Sequence, residues 1–551
     1  MYIDPSAGTL ILQLLVGALV GLQFLLRRGF HRIGGFLGRD LSEGFYGLLI
    51  AVSFANLSLL RIWTELFGFS ESDAFEMKAP PPWTHFAGAL LDLILITLPV
   101  WVLVRKMSLR GPAGTCASAA LLILWAIPLN AARDVLGSEY FPMLRFGVVR
   151  AFGPTTVAGV CVALVVLGTA AIAWFGRPIN RVLCLLLLAS SPFTLITVGR
   201  ALSHLFVPPA PFSISDEDRA HRGRGRTVGS RVVWLLFDEM DQRIAFEDRP
   251  PGLKLPEFDR LRSAAVYASA VREAGENTIP AVPSLLTGKT VVRARELGLA
   301  RLGLTFEGSS KEVDLRTTLH IFRRAGNLGF SSGVTGWDIP YCRLFGAELD
   351  RCWWCEAVRF DNSIRTGLAG ATVDGLRSLF ETMNFSLFGQ SICVRQQVEN
   401  VASLTRESIE TARDDNLDLV FLHLHGAHPP HAYDRRRLDF SLSNSPIAGY
   451  ADSLALCDIT LGRIRRELEF RGVWDHTAVL VSSDHHSRSS HVFDGKTDHR
   501  SIFILKMAGQ NRGVVFDRPI NAVVSGDLVL EILKGSVKNV NDVTAWLTER
   551  S

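Results

Sequence analysis

Two short apolar runs decide the fold of this chain: RVVWLLFDE at 231–239 and TAVLVSSDHH at 477–486. Each has the β-branched and aromatic character of a buried strand, and each then changes abruptly to acidic or imidazole side chains. The runs around them are a helical pattern at 255–265, an apolar run at 418–426, a helical pattern at 450–470 and an apolar run at 500–507. Strands that alternate with helices predict an α/β domain with a mixed, mostly parallel sheet sandwiched by helices.

The first 205 residues have the composition of a membrane domain. They hold 25 of the Asp, Glu, Lys and Arg residues, whereas the other 346 positions hold 87. Because about 20 apolar residues cross a bilayer, six stretches are long enough to span it: 7–26, 43–62, 86–104, 115–132, 155–175 and 182–200. The sequence therefore predicts a domain of about six transmembrane helices in 1–205, a linker in 206–230 and a second, soluble domain in 231–551.

Loop charges predict the orientation of these spans, since short loops rich in Lys and Arg stay on the cytoplasmic side. The first, third and fifth loops are basic and the second is net acidic. We therefore expect a multi-pass protein of the inner (cytoplasmic) membrane whose second domain faces the periplasm or the exterior. A net charge of +4 over 551 residues argues against nucleic acid as a partner.

Carboxylates and imidazoles follow or precede several of the predicted strands. They are Asp238 and Glu239 after 231–237, His428 and His431 after 418–426, Asp484 and His485 after 477–483, and His499 before 500–507. Ligands of such sheets bind at the carboxyl ends of the strands, so these side chains are expected to gather there. Mixed oxygen and nitrogen ligands suit Zn²⁺ or Mn²⁺. A helix cap is the simpler alternative for any single Asp after a strand.

The segment ENTIPAVPSLLTGK at 276–289 supplies a candidate nucleophile. Thr278 precedes a short apolar helical run that ends at Gly288. A hydroxyl at a helix N-terminus faces exposed amides and the positive end of the helix dipole. A bound metal ion would lower its pKa and make it nucleophilic. A simple N-cap role for Thr278 is the alternative.

Over roughly residues 231–510 these segments resemble the alkaline phosphatase superfamily in its sulfatase-like branch. The matching stretches are VVWLLFDEMD, NTIPAVPSLLTGK, LHLHGAHPPHAY and VLVSSDHHSR. The resemblance implies an enzyme that acts on ester bonds with one or two divalent metal ions, Zn or Mn. The roles it implies are catalysis for Thr278 and His428, metal binding for Asp238, Glu239, Asp484, His485 and His499, and substrate binding for His431 and Lys496.

The nucleophile segment separates two branches of that superfamily. Sulfatases resemble one another in a Cys-X-Pro-X-Arg frame whose Cys or Ser becomes formylglycine, but residues 278–282 read Thr-Ile-Pro-Ala-Val. A threonine cannot become formylglycine, so the chain looks more like the phosphoethanolamine and glycerophosphate transferases. That likeness implies a membrane lipid as donor and a surface glycan or lipid as acceptor.

Other functions stay open at this point. Asp-Glu-Met at 238–240 is closer to a phosphodiesterase-like pattern, which leaves hydrolysis of a phosphodiester as an alternative to transfer. The further alternatives are a sulfatase, a non-catalytic scaffold for envelope polysaccharide assembly, and an accessory domain of a glycan exporter.

Three cysteines, Cys342, Cys352 and Cys355, lie in one stretch of the second domain. Disulfides are permitted outside the cytoplasm, so we expect a loop disulfide within 342–355. A zinc or redox motif at the same cysteines is disfavoured because no second Cys pair accompanies them.

Overall fold

A computed structural model describes residues 39–67, 75, 81–109, 111–137, 154–206, 231–356, 367–382, 385–386, 392–429, 431–440 and 446–551. These residues fall into two compact units. The span predicted at 7–26 and residues 207–230 of the predicted linker lie outside the described residues.

The first unit contains apolar helices. They are α1 (Arg39–Ser58), α2 (Leu60–Phe67), α3 (Trp83–Met107), α4 (Pro112–Leu124), α5 (Ala126–Gly137) and α6 (Pro154–Phe206). Within the described residues, three stretches are long and apolar enough to cross a membrane: Trp83–Met107, Pro112–Arg133 and Pro178–Phe206. The pair Gly44–Ser58 and Leu60–Phe67, bent by 63°, adds a fourth if it forms one span. The chain is therefore a membrane protein.

Helix α6 differs from the sequence expectation. The spans predicted at 155–175 and 182–200 lie in one helix of 53 residues, with no turn at the expected loop. Pro178 stands where that break was expected. A proline inside a helix removes one backbone donor and favours a kink, but it does not by itself create a turn when helix-forming residues flank it.

The second unit begins with β1 (Arg231–Phe237). The elements that follow it in the chain are α7 (Gln242–Phe246), α8 (Pro256–Ser263), β2 (Val266–Ala268), β3 (Val271–Arg272), α9 (Thr278–Thr287), β4 (Val291–Glu296), β5 (Leu302–Phe306), β6 (Glu312–Asp314), α10 (Ile321–Asn327), β7 (Ser332–Trp337), α11 (Tyr341–Phe345), β8 (Arg351–Cys355), α12 (Leu368–Ser378), β9 (Glu381–Thr382), β10 (Phe385–Ser386), α13 (Ile392–Arg413), β11 (Leu419–Leu424), α14 (Pro446–Phe470), β12 (Thr477–Ser483), α15 (His491–Asp494), β13 (Phe503–Lys506), β14 (Val514–Phe516), β15 (Ile520–Asn521), α16 (Ser525–Lys534) and α17 (Val540–Thr548). Of these, α12 and β9 belong to the first unit.

An eight-stranded sheet with the order β14-β2-β13-β12-β1-β11-β7-β8 organises this unit. The central strands β12, β1, β11, β7 and β8 are parallel to one another, and β13 is antiparallel to β12. The predicted α/β fold with a mixed, mostly parallel sheet is confirmed. Strand β13 enters the sheet at the edge where β12 leaves it, so residues just before β13 lie near residues just after β12.

Strand β1 is central because both of its faces are apolar. Val232, Trp234 and Leu236 enter the hydrophobic core on one side of the sheet. Val233, Leu235 and Phe237 enter the core on the other side. A strand covered on both faces is expected to be continuously apolar, and this explains why the run RVVWLLF was readable from the sequence.

The expected loop disulfide is present. Cys342 in α11 and Cys352 in β8 are bonded, with Cα atoms 5.6 Å apart. The thiol of Cys355 lies outside this bond.

Residues 367–382 belong to the helical first unit, although they follow β8 in the chain. Helix α12 packs closely on α3: a Cβ atom added to Gly88 would lie 3.0 Å from the Cβ atom of Ala371. The Arg61 guanidinium of α2 donates hydrogen bonds to the carbonyl oxygens of Ser378 and Glu381. The domain predicted at 231–551 thus contributes one helical segment to the first unit.

Candidate functional site

Two neighbouring strands place Asp238 and Asp484 side by side. Phe237 of β1 pairs with Ser483 of β12, and each Asp is the next residue of its chain segment. Both side chains are fully buried. Asp484 Oδ1 accepts the backbone N–H groups of Glu239 at 3.2 Å and His485 at 2.8 Å. Within the described part of the chain, Asp484 Oδ2 and both Asp238 oxygens have no hydrogen-bond partner.

These carboxylates need a positive partner. Burial, followed by the charges of Asp484 and Glu239, raises the pKa of Asp238 well above its usual range. Taking a carboxylate out of water beside another carboxylate is costly unless a cation compensates it. The unpartnered oxygens therefore fit a divalent cation, whose own charge would reverse this shift.

His485 presents one particular ring nitrogen to this pair. Its Nδ1 lies 2.8 Å from the carbonyl oxygen of His486. A carbonyl only accepts, so Nδ1 carries the proton and Nε2 offers its lone pair. Nε2 lies 3.5 Å from Asp238 Oδ1 and 3.4 Å from Asp484 Oδ2. An imidazole oriented in this way by a backbone carbonyl is typical of metal-binding histidines.

His423 completes the group, although the sequence interpretation passed over it. It lies inside β11, fully buried, and pairs with Leu236 of β1. Asp238, His423 and Asp484 each offer a ligand atom within 4.8 Å of the others. His423 Nδ1 lies 2.9 Å from the Tyr341 hydroxyl, and its Nε2 has no partner among the described residues. Two carboxylates and imidazole nitrogen suit Zn²⁺ or Mn²⁺.

A glycine makes this close packing of strand ends feasible. Gly426, two residues after β11, has φ 63°, and a Cβ atom there would lie 2.0 Å from the carbonyl oxygen of Asp238. The backbone next to it donates from Ala427 N–H to that same oxygen at 2.9 Å. Only glycine fits such a position, so the Gly after LHLH is a requirement of the site.

Thr278 lies at the edge of this group. It is the first residue of α9, which ends at Gly288 in a left-handed conformation, as the sequence predicted. Its side chain is buried, and Thr278 Oγ1 lies 3.4 Å from His485 Nε2. The hydroxyl, the imidazole and the two carboxylates are therefore contiguous.

Glu239 forms an ion pair with an arginine, and metal binding by Glu239 stays a prediction. Its backbone has φ 52°, and its carboxylate accepts from Arg488 Nε at 2.7 Å. The Arg488 side chain is 53% exposed and lies 3.4 Å from His428 Nε2. His428 Nδ1 donates to the Pro429 carbonyl oxygen, so its Nε2 has the lone pair. The structure thus places the Arg488 guanidinium and the His428 imidazole next to the carboxylate group.

The other predicted site residues lie elsewhere. His431 Nδ1 is 3.1 Å from Ser453 Oγ. His499 belongs to a separate group with Glu273 and His486. Lys496 is exposed in the loop after α15, where its backbone N–H donates to Asp494. Metal binding by His499 and substrate binding by His431 and Lys496 stay predictions.

Three residues of this region escaped the sequence interpretation: His423, Glu273 and Arg488. His423 had a readable signal, because an imidazole in the middle of the buried run LVFLHL is unusual for a strand covered on both faces. Glu273 directly follows the short strand β3 and Arg488 lies in a loop. Their side-chain partners are more than 200 positions away in the chain.

Comparison with known proteins gives a family. The family model described as Sulfatase matches residues 230–512. The chain belongs to the sulfatase family, and with it to the alkaline phosphatase superfamily. Members of this superfamily act on ester bonds with the help of divalent metal, and the groups of candidate ligands described above are consistent with that chemistry. No curated protein sequence gives a significant match.

Three of the solved structures that are similar to this chain are the following. The alkaline phosphatase superfamily protein of Vibrio parahaemolyticus is 14% identical, with 59% of this chain and 71% of that one covered and a TM-score of 0.36. The lipoteichoic acid synthase LtaP of Listeria monocytogenes is 12% identical, with coverage of 58% and 76% and a TM-score of 0.36. The phosphonate monoester hydrolase of Agrobacterium radiobacter is 14% identical, with coverage of 56% and 77% and a TM-score of 0.35.

Proposed function

We propose that this sulfatase-family protein transfers or hydrolyses a phospho-ester group through a covalent intermediate on Thr278. The observation that carries the proposal is the position of the Thr278 hydroxyl, 3.4 Å from His485 Nε2 at the edge of the Asp238 and Asp484 pair. A hydroxyl becomes nucleophilic when a base or a bound metal ion lies next to it. Thr278 has an oriented imidazole and candidate metal ligands beside it.

The chain's own residues account for most of the reaction. The Thr278 hydroxyl gives up its proton to solvent, Oγ forms a bond to phosphorus, and the bond from phosphorus to the leaving oxygen breaks. The products are a phospho-threonine and an alcohol that takes its proton from water. A divalent cation held by Asp238, His423, Asp484 and His485 would supply the positive charge that favours the deprotonated hydroxyl and offsets charge on the phosphoryl oxygens. Because Thr278 is the first residue of α9, the positive end of the helix dipole would also favour a phosphoryl group bound at its hydroxyl.

Arg488 and His428 form the second side of the proposed reaction centre. Glu239 holds the Arg488 guanidinium, which can donate to phosphoryl oxygens in the paired geometry that phosphate favours. Burial, as the largest cause, lowers the pKa of His428, so its ring is neutral near pH 7. With its Nε2 lone pair available, His428 can accept a proton from the water or alcohol that opens the phospho-threonine.

A phospho-ester is favoured over a sulfate ester by the nucleophile itself. Sulfate ester hydrolysis in this family depends on formylglycine, which a threonine cannot become. In the Cys-X-Pro-X-Arg frame of sulfatases, position 278 would be the modified Cys or Ser and position 282 the Arg. This chain has Thr278 and Val282 there.

The proposed substrates follow from the membrane helices. The apolar helices of the first unit support a membrane lipid as phospho-group donor and a surface glycan or lipid as acceptor. The loop charges support a catalytic domain on the outer face of the inner membrane. Hydrolysis differs from transfer only in that water replaces the acceptor hydroxyl.

The detergent-solubilised full chain, supplied with Zn²⁺ or Mn²⁺, tests this proposal. A nitrophenyl phosphate monoester, a phosphodiester and a sulfate are assayed side by side. We expect turnover of a phosphate ester that falls by about 10³-fold or more in Thr278→Ala. Thr287→Ala is the matched control, because Thr287 is a buried threonine of the same helix whose hydroxyl donates to the backbone carbonyl oxygens of Pro283 and Lys289.

Turnover of the sulfate that persists in Thr278→Ala would contradict the proposal. Phosphate-ester turnover that is equal in Thr278→Ala and Thr287→Ala would contradict it as well. A protein that binds no divalent metal and turns over none of the three esters would support the non-catalytic scaffold.

A further inference from the structure

A second cluster of candidate metal ligands lies beside the first one. It consists of Glu273, His486 and His499, which each offer a ligand atom within 4.8 Å of the others. The two clusters share no residue, but they are connected in the chain, because His485 of the first group is followed directly by His486.

Backbone pairing builds this cluster. Arg272 of β3 forms a bridge with Arg500, and the Glu273 backbone N–H donates to the carbonyl oxygen of His499 at 3.0 Å. The His486 backbone N–H donates to Glu273 Oε2 at 2.9 Å. Three separate chain segments are therefore fixed around one carboxylate.

The side chains converge on that carboxylate. His486 Nδ1 lies 2.7 Å from Glu273 Oε2, and His499 Nδ1 lies 2.7 Å from Glu273 Oε1. The two imidazole rings have centroids 4.5 Å apart. The Glu273 side chain is 5% exposed and that of His486 6%, whereas that of His499 is 52% exposed.

We propose that Glu273, His486 and His499 bind a second divalent cation of the Zn²⁺ class. Two imidazoles and one carboxylate are a ligand set that zinc uses when it keeps an open fourth position. Ligand atoms at about 2.0–2.1 Å from a tetrahedral ion lie about 3.3 Å apart, so the groups need to separate by about half an ångström to admit it. The exposed side of His499 provides the entry path that a metal site requires.

Such an ion would act on the segment between the two clusters. Residues 484–486 carry two ligands of the first group and one of the second, so an ion in the second cluster would fix the backbone that carries Asp484 and His485. The second site is nevertheless defined by its own ligands and does not depend on the proposed reaction.

The full chain in detergent tests this site by metal content. The protein is stripped with a chelator, reloaded with Zn²⁺ and freed of excess metal, and zinc per chain is measured by mass spectrometry. We expect two ions in the natural sequence and one in both His499→Ala and Glu273→Gln. Asp484→Asn should also retain one ion, and the double variant His499→Ala with Asp484→Asn should retain none. His491→Ala is the matched control, since His491 is an exposed histidine of α15, and it should retain two.

One ion in the natural sequence, unchanged by His499→Ala and lost in Asp484→Asn, would overturn the second site. So would two ions that persist in both His499→Ala and Glu273→Gln. Because stoichiometry is read without turnover, loss of one ion in His499→Ala supports the second site even if no phosphate ester is cleaved.

Discussion

At the residue scale, the candidate site depends on which ring nitrogen of each histidine carries the proton. Backbone carbonyls fix the answer for His485 and His428, whose Nδ1 atoms both donate to such oxygens. Their Nε2 lone pairs are thereby directed elsewhere: that of His485 toward the carboxylates and Thr278, and that of His428 toward the exposed edge at Arg488. A neutral imidazole with a fixed tautomer is the form that both metal binding and proton acceptance require.

A buried histidine away from the site makes stability sensitive to acid. His320 caps α10 by accepting the Arg323 N–H at its Nδ1, and its ring packs against Phe345 with centroids 4.6 Å apart. Burial, with a smaller contribution from Arg323, lowers its pKa from 6.5 to about 3. Below pH 6.5 the unfolded chain therefore binds a proton that the folded chain excludes, and stability falls as pH falls toward 3.

We expect the titration of His320 to lower the free energy of unfolding by about 2 kcal/mol at pH 5 relative to pH 7. His320→Asn keeps a capping side chain but removes the titration. The measurement is the thermal unfolding midpoint of the full chain in detergent at both pH values. The midpoint should drop less in His320→Asn than in the natural sequence, and equal drops would show that His320 does not contribute.

The sequence allowed some site residues to be predicted because of where they lie in the chain. Asp238 and Asp484 follow buried strands directly, so parallel pairing alone brings them together. Thr278 begins a helix whose two ends are indicated by neighbouring residues in the sequence: a polar residue before it and Gly288 after it. The contact between Glu239 and Arg488 was not predictable, because the two residues are 249 positions apart in the chain. His423 lies inside its strand, so the pattern of polar residues that follow strands did not include it.

At the element scale, strands and helices with strong local patterns match the predictions well. The runs predicted at 231–237 and 477–483 coincide with β1 and β12, because both are apolar on two faces. Strand β13 is shorter than the predicted 500–507 and is antiparallel. The direction of a strand depends on the strand with which it pairs, so it cannot be predicted from an apolar run of sequence.

The disulfide joins α11 to β8 and is expected to stabilise the second unit. It closes a loop with a sequence separation of 10 residues, for which restriction of the unfolded chain contributes about 2–3 kcal/mol. The double variant Cys342→Ser with Cys352→Ser should therefore unfold at a lower denaturant concentration. Cys355→Ala, a change in the same strand outside the bond, serves as control. Equal destabilisation by the two proteins would contradict a role for the crosslink.

At the scale of the whole molecule, one chain combines a unit of apolar helices with a sulfatase-family unit. A division of the chain after residue 205 is predicted from charge density alone. The assignment of 367–382 to the helical unit is not, because those residues follow β8 without a change in composition. These residues belong to the helical unit through close contacts such as the one between Gly88 and Ala371. That contact requires position 88 to carry no side chain.

The central claim is that Thr278 carries the phospho group, and the most direct test is to find that group on it. The full chain with Zn²⁺ or Mn²⁺ is mixed with a nitrophenyl phosphodiester, quenched in acid within the first turnovers, and digested for peptide mass spectrometry. We predict a phospho adduct on Thr278 that is absent from Thr278→Ala and from chelator-treated protein, and present in Thr287→Ala. Phosphodiester turnover that continues in Thr278→Ala, or an adduct on a different residue, would contradict the account.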